Sequence, residues 1–170
     1  MPVETTQKPA TAGAVGTSWV PATDFTLGMS CTRTLKIDEK LIHAYADVTG
    51  DHNPIHVDAA YAAKTKFGRC IAHGVILVGF ISKVLGDDFP GDGTVWVNQD
   101  IKWKAPVFIN DTVTLEVTLV HLLPKNGAWL TTVLTNQDGV IVANGTAEVK
   151  LPLHHASLAP FQPKPGVTVK

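Results

Sequence analysis

The pattern of apolar and polar residues changes near Gly93. Before it, apolar residues mostly recur at helical spacing; after it, they alternate with polar residues as in β-strands. One earlier segment, Thr32–Ile37, also alternates and is predicted as a strand. The later segments are rich in Val, Thr, Leu and Trp and are separated by turn residues, which predicts an antiparallel meander of four strands. These strands are Thr94–Lys104, Thr112–His121, Ala128–Asn136 and Val140–Leu151.

Three helices are predicted between the first strand and the meander. Two of them follow an aspartate, a residue that caps helix N-termini well. The third is apolar on nearly all sides, which is typical of a helix in the middle of a core. We therefore expect an α+β fold in which the sheet wraps around the buried helix. The predicted helices are Glu39–Val48 between Asp38 and Gly50, Ala59–Lys64 after Asp58, and Ile71–Leu85 closed by Gly86.

Both ends of the chain lack periodicity and are rich in turn-forming residues. Residues 1–24 and 152–170 are therefore predicted to be tails, mobile or lying extended on the surface. Trp19 and Phe161 could pin these tails to the body of the protein. The remaining 25–151 segment is expected to be a single folded domain.

Composition narrows the class of protein. The 170 residues include 14 Lys+Arg and 15 Asp+Glu, a net charge of −1, and 45% are apolar. This argues against disorder and against nucleic-acid binding, which requires clustered cations. The longest apolar run, Gly74–Ile81, is too short to span a membrane, and the N-terminus carries no signal-peptide core. Cys31 and Cys70 lack metal or redox spacing, which favours free thiols and a cytoplasmic location.

A polar loop follows the first predicted helix. Asp51, Asn53 and His56 lie within six residues, and Pro54 stiffens the turn between them. An aspartate and a histidine held this way could direct two proton-transfer groups at one water molecule. The structural alternative is that Asp51 and Asn53 only cap the turn while His56 packs.

A metal site is a second alternative for this loop. His52 and His56 are four residues apart, with Asp51 and Asp58 adjacent. Pro54 lies between the two histidines, so they do not share a helix face, and the usual two-histidine geometry fails. We therefore expect no metal.

His73 and Gly74 mark the start of the apolar helix. Backbone N–H groups at a helix N-terminus have no partner within the helix and lie at its positive end, so they can stabilise an oxyanion. The alternative is an ordinary helix start with a partly buried histidine. Ser82, two turns later, could simply donate to the carbonyl four residues before it. The chain has no dinucleotide, phosphate-loop or nucleophile-elbow motif.

Taken together, these residues resemble the MaoC-like enoyl-CoA hydratases, the (R)-specific hydratases of the hot-dog fold. The resemblance covers about residues 25–150. It rests on an Asp-x-Asn-Pro-x-His signature, a later His-Gly at the head of a long apolar helix, and a Pro-Val-Phe-x-x-Asp turn between two strands. Here these motifs are Asp51–His56, His73-Gly74 and Pro106–Asp111.

The resemblance implies a role for each matching position. Asp51 and His56 fall on the catalytic pair that holds and activates water. Gly74 falls where a backbone N–H binds the thioester oxygen. Asn53, His73 and Ser82 fall on supporting or substrate-lining positions.

The implied reaction is reversible syn hydration of trans-2-enoyl-CoA to (3R)-3-hydroxyacyl-CoA. No cofactor is implied, since CoA is part of the substrate. The resemblance implies a homodimer, compatible with a higher oligomer, and Lys64, Lys66 or Arg69 could meet the CoA phosphates. Alternatives are a dehydratase of carrier-protein, branched or dicarboxylic thioesters, or a non-catalytic acyl-CoA-binding module. A thioesterase is disfavoured because the signature belongs to the hydratases.

Overall fold

The computed structural model describes residues 19–21, 24–155, 163–165 and 167–170. Its main sheet has five antiparallel strands, and a separate pair of short strands joins the two ends of the described chain. The elements are β1 (Trp19–Pro21), β2 (Ser30–Lys36), α1 (Glu39–Thr49), α2 (Pro54–Val57), α3 (Ala59–Ala62), α4 (Gly74–Lys83), a π-helical turn (Val84–Asp88), β3 (Val95–Trp103), β4 (Thr112–Leu123), β5 (Gly127–Thr135), β6 (Ile141–Lys150) and β7 (Leu153–His155).

The strands of the main sheet lie in the order β2-β4-β5-β6-β3. β4, β5 and β6 form the predicted meander, but the prediction was wrong for β3, which lies beside β6 at the far edge. The segment joining β3 to β4 explains the difference. It runs past the start of α4, where the Ala72 N–H donates to the Val107 carbonyl at 2.7 Å, so it does not close a hairpin.

The core lies between the sheet and α4. One side of α4 is buried against the sheet, while Val75 on its outer side is 52% exposed. The sheet contributes alternate side chains, as expected for strands with one buried face. The predicted α+β arrangement, a sheet wrapped around an apolar helix, is confirmed. The principal contributors are Ile76, Leu77, Phe80 and Ile81 from α4, and Leu115, Leu130, Leu134 and Ala147 from the sheet.

Local signals placed α1 correctly. The Asp38 carboxylate accepts from the Leu41 N–H at 2.8 Å, and Gly50 ends the helix with a φ of 77°. Asp58 likewise caps α3, which ends two residues before the predicted Lys64. The segment after α1 was expected to be a loop throughout, but it contains the single-turn helix α2, because Pro54 can occupy the first turn of a helix.

The apolar helix was predicted from Ile71 to Leu85. α4 begins three residues later because Ile71 and Ala72 pair with the segment that follows β3. Gly86 does not end the helical path, since the π-helical turn continues to Asp88. The prediction that His73 and Gly74 mark the helix start is confirmed.

The C-terminal end of the described chain lies against the main sheet, and the N-terminal strand belongs to a separate small sheet. β1 pairs antiparallel with β7, and Val169 forms a bridge with Cys31 of β2. The side chain of Trp19 and all of Phe161, the expected anchors of the tails, lie outside the described residues. Among the described residues, no helix combines the length and hydropathy needed to cross a bilayer.

A buried carboxylate joins β2 to the end of α4. Asp88 is 2% exposed and accepts hydrogen bonds from Arg33, at 3.0 and 3.1 Å, and from Lys83. Burial alone would raise the pKa of Asp88, but these two cations outweigh it and hold that pKa below the usual 3.8. The depressed pKa means that the ionised carboxylate stabilises the folded state.

Replacing Asp88 with Asn should lower the free energy of unfolding at pH 7 by about 2 kcal/mol, because the buried partner of two cations is lost. A carboxyl with a depressed folded-state pKa contributes fully above about pH 4 and loses that contribution as pH falls through its folded pKa. Urea unfolding from pH 7 to pH 3 should therefore show the difference between wild type and variant shrinking with acid. Asp92→Asn, at a carboxylate 79% exposed, is the control. An equal loss for both variants, or no pH dependence, would contradict this assignment.

Candidate active site

Three side chains from separate elements converge near the start of α4. Asp51 follows α1, His56 lies in α2, and His73 precedes α4. Each contributes a carboxylate oxygen or ring nitrogen, and these atoms all lie within 4.8 Å of one another. The predicted spatial relation between Asp51 and His56 is therefore present in the structure.

The turn that carries Asp51 is held by short-range hydrogen bonds. The Asp51 N–H donates to the Thr49 hydroxyl, and the Asn53 N–H donates to Oδ1 of Asp51, both at 3.3 Å. The Asn53 side chain in turn accepts from the Ile55 N–H and caps α2. The capping alternative thus describes Asn53 correctly, yet the Asp51 side chain stays about half exposed beside the histidines.

One ring nitrogen of His56 is available to accept a proton. Its Nδ1 lies 2.7 Å from the Ile71 carbonyl oxygen, which can only accept, so Nδ1 carries the proton. In the neutral ring Nε2 then has a free lone pair. The half-buried His56 is therefore oriented as a proton acceptor, beyond simple packing.

His73 connects the other two residues. It is 2% exposed, and its Nε2–H donates to the Asp51 carbonyl oxygen at 2.9 Å. Its ring lies between those of His56 and Tyr45, with centroid distances of 3.9 and 4.7 Å. Within the described part of the chain, its buried Nδ1 has no hydrogen-bond partner. The alternative of an ordinary helix start with a partly buried histidine does not describe His73, which is 2% exposed and contacts both neighbours.

Two of these residues, His56 and His73, line a cavity of about 470 Å³, and Asp51 lies beside them outside its lining. Gly74, the first residue of α4, lies on its wall, and its N–H has no acceptor within the helix. A cavity of this size can hold a small organic group. The lining residues are His56, Lys66, Phe67, Ile71, Ala72, His73, Gly74, Leu77, Trp103, Lys104, Ala105, Pro106 and Val107.

Other predicted residues lie elsewhere. Ser82 is exposed on the outer side of α4, two turns from Gly74, and does not line this cavity. Of the metal set considered from the sequence, Asp51 and His56 come together, and with His73 they could hold a metal ion, whereas His52 faces Asp47 at 3.8 Å and Asp58 caps α3.

The positive charges of the region are distributed unevenly. Lys66 lines the cavity as expected, whereas Lys64 does not. The Arg69 guanidinium lies over the Phe108 ring at 3.9 Å, also away from the cavity lining. Lys104, from the segment after β3, lines the cavity and was not singled out from the sequence.

Sequence reasoning also gave no role to Tyr45 or Trp103. Residues 102–105 directly precede the Pro106–Asp111 motif, but nothing local in the sequence indicates which element they contact. That contact depends on the pairing of β3 with β6, which brings the end of β3 to the start of α4.

The fold and the site define a class of protein: a hot-dog domain with an Asp–His pair beside the N-terminus of its central helix. Residues 23–142 match the model of the MaoC-like domain, so the chain belongs to that family.

Relatives and solved structures agree with this assignment. The chain is 41% identical over 129 residues to an (R)-specific enoyl-CoA hydratase of Rhodospirillum rubrum, covering 76% of this chain and 90% of that protein. An (R)-hydratase structure from Aeromonas caviae, described as involved in PHA biosynthesis, has a TM-score of 0.75 at 37% identity and covers 77% of this chain and 100% of that one. An unliganded R-hydratase from Pseudomonas aeruginosa has a TM-score of 0.76 at 35% identity, covering 85% of this chain and 95% of that one.

Proposed function

We propose that this protein is an (R)-specific enoyl-CoA hydratase, which reversibly converts trans-2-enoyl-CoA to (3R)-3-hydroxyacyl-CoA. The observation that carries the proposal is that the proton-accepting atoms of Asp51 and His56 lie within 4.8 Å of each other, while His56 and the start of α4 line the same cavity. The hydratases named among the relatives support the same chemistry.

In the proposed mechanism, one water molecule lies between Asp51 and His56. The two side chains orient it and remove one of its protons as its oxygen bonds to C3 of the substrate. A proton is then returned to C2 from the same side, because the proton-transfer atoms of both groups lie within 4.8 Å of each other. Asn53 supports this step by donating its N–H to Asp51, and His73 supports it by holding both neighbours.

Addition at C3 moves charge onto the thioester oxygen, forming an enolate. We assign the Gly74 N–H to this oxygen because it is the first N–H of a ten-residue helix, at the positive end of the helix dipole. Such a donor acts most strongly where charge develops in the transition state. The proposed reaction needs only these groups and water, so no cofactor beyond the CoA of the substrate is involved.

Replacing Asp51 with Asn should lower the rate of crotonyl-CoA hydration by about 10²–10⁴-fold, since the amide keeps the shape but cannot accept a proton. The assay follows loss of the enoyl-thioester absorbance while free thiol is measured in parallel. Wild type should lose absorbance without releasing thiol, and the product should be the 3R alcohol.

The matched control is Asp47→Asn, at a 75% exposed carboxylate of α1. It should leave the rate unchanged. Full activity in the Asp51 variant would remove the site assignment, and thiol release would indicate a thioesterase. Inactivity of wild type toward short, long, branched and carrier-protein thioesters would leave only acyl-CoA binding.

Two residues that line the cavity also support the proposal that the acyl group of the substrate is attached to CoA. Lys66 and Lys104 both line the cavity. In the sequence, Lys66 precedes α4 and Lys104 follows β3. Ammonium groups at the mouth of a substrate cavity attract phosphate groups at long range. We therefore propose that these two lysines contact the anionic part of CoA.

Lys66→Ala and Lys104→Ala should each raise KM for crotonyl-CoA about 5-fold, equivalent to the loss of about 1 kcal/mol from one exposed charge pair. KM for crotonyl-pantetheine, which lacks phosphates, should not change. Lys64→Ala is the control, because Lys64 does not line the cavity. Equal effects on both substrates would overturn the phosphate assignment without affecting the proposed hydration.

We further propose that the protein forms a homodimer through β3. Within the described chain, β3 pairs with a strand on one side only, and Val97 and Trp103 on it are each 52% exposed. An unpaired apolar edge strand is a template for pairing with another chain. In such a dimer a second copy lies beside α4. Ser82 would then contact substrate only in the dimer, where it could occupy the substrate-lining position that the family resemblance implies.

Light scattering after gel filtration should give twice the 18.2 kDa mass of the chain. Val97→Lys should shift the protein toward monomer, because charged lysine on an edge strand opposes pairing. Val48→Lys, at an 86% exposed valine of α1, should remain dimeric. A wild type that stays monomeric at assay concentrations would contradict the dimer.

The domain and location predicted from the sequence form part of the same proposal. We take residues 25–151 as the hydratase unit, which the family match at 23–142 supports. Cys31 and Cys70 are free and buried, which is compatible with a reducing compartment such as the cytoplasm.

A further inference from the structure

Trp103, the last residue of β3, contacts the first residue of α4. Its Nε1–H donates to the Gly74 carbonyl oxygen at 3.2 Å, and its indole ring forms part of the cavity wall. The contact joins residues 29 positions apart in sequence. It links the edge strand to the residue whose N–H is the proposed oxyanion donor, although the carbonyl that accepts from Trp103 and that N–H belong to the two peptide groups on either side of the Gly74 Cα.

The same contact explains why residue 74 is glycine. A Cβ built at Gly74 would lie 2.6 Å from Nε1 of Trp103 and 3.1 Å from Cε2 of its ring, far closer than real Cβ contacts. Gly74 is not in a left-handed conformation, so backbone strain does not require glycine here. The indole occupies the space that a side chain at position 74 would need.

We propose that Trp103 is a positioning residue, which clamps Gly74 through its carbonyl and its Cα and so fixes the residue whose N–H receives the thioester oxygen. This proposal rests on the proposed function for its kinetic consequence only. The ring excludes a Cβ at position 74, and the hydrogen bond holds the helix start against β3. Both contacts act through Gly74 rather than on the reacting atoms.

One single variant, with a matched control, tests the hydrogen bond of the clamp. Trp103→Phe keeps an aromatic wall and loses the hydrogen bond, so kcat should fall about 5-fold, the equivalent of one neutral hydrogen bond, with little change in KM. The matched control is Trp96→Phe on the same strand, which loses an indole bond to the Asn98 carbonyl away from α4. The control should retain wild-type kcat.

A double-mutant cycle tests the coupling itself. In Gly74→Ala the new Cβ must displace the indole, so kcat should fall about 100-fold, as when an oxyanion donor is misplaced. In a Trp103→Ala background the clash is gone, and the same change should cost less than about 10-fold, a coupling typical of residues in contact. The midpoint of urea unfolding, measured for the four proteins, should show the same non-additivity.

The cycle distinguishes failure of this proposal from failure of the proposed function. If wild type hydrates no enoyl-thioester, the unfolding cycle still tests the contact. If Gly74→Ala costs the same in both backgrounds, in kinetics and in unfolding, the clamp is wrong while the hydratase proposal stands. If Trp103→Phe keeps the wild-type kcat, Trp103 only packs and does not position Gly74. The gel-filtration mass of each variant should equal that of wild type, so that the comparison does not depend on dimer formation.

Discussion

The hydrogen bond from the His73 ring to the Asp51 carbonyl is the interaction on which the site depends. It joins the turn after α1 to the residue that begins α4, across 22 positions of sequence. The same ring packs against His56. A fully buried histidine with one unpartnered nitrogen is costly by itself. A histidine at this position is nevertheless understandable if the position must supply both a directed N–H and a flat ring.

The backbone around His73 reinforces this arrangement. The His56 Nδ1–H donates to the Ile71 carbonyl, and the Ala72 N–H donates to the Val107 carbonyl. Residues 71–73 therefore receive contacts from α2 on one side and from the segment after β3 on the other. Rigid support of this kind lets an exposed carboxylate and a half-buried imidazole keep one geometry although neither is in the core.

Local signals in the sequence were sufficient for α1, the helix caps and the central strands, because each depends on neighbouring residues. The stiff turn made a meeting of Asp51 and His56 expected, but only the family resemblance favoured their catalytic role over capping. The bridge between Ile71 and Phe108, which keeps Ile71 out of α4, could not be predicted, since it joins residues far apart in sequence. The same holds for Trp103 and Lys104, whose positions follow from β3 pairing with β6 rather than β4.

The placement of β3 has a consequence for how the site and the assembly relate. β3 is the edge strand proposed to meet a second copy, and its last residue contacts Gly74 at the start of α4. Its other edge is fixed by the register with β6, including a bulge between Trp96 and Asn98. A strand held on one side by the sheet and on the other by a partner cannot shift without moving the wall of the cavity. The proposed association through this edge would therefore hold the contact between Trp103 and Gly74 more rigidly.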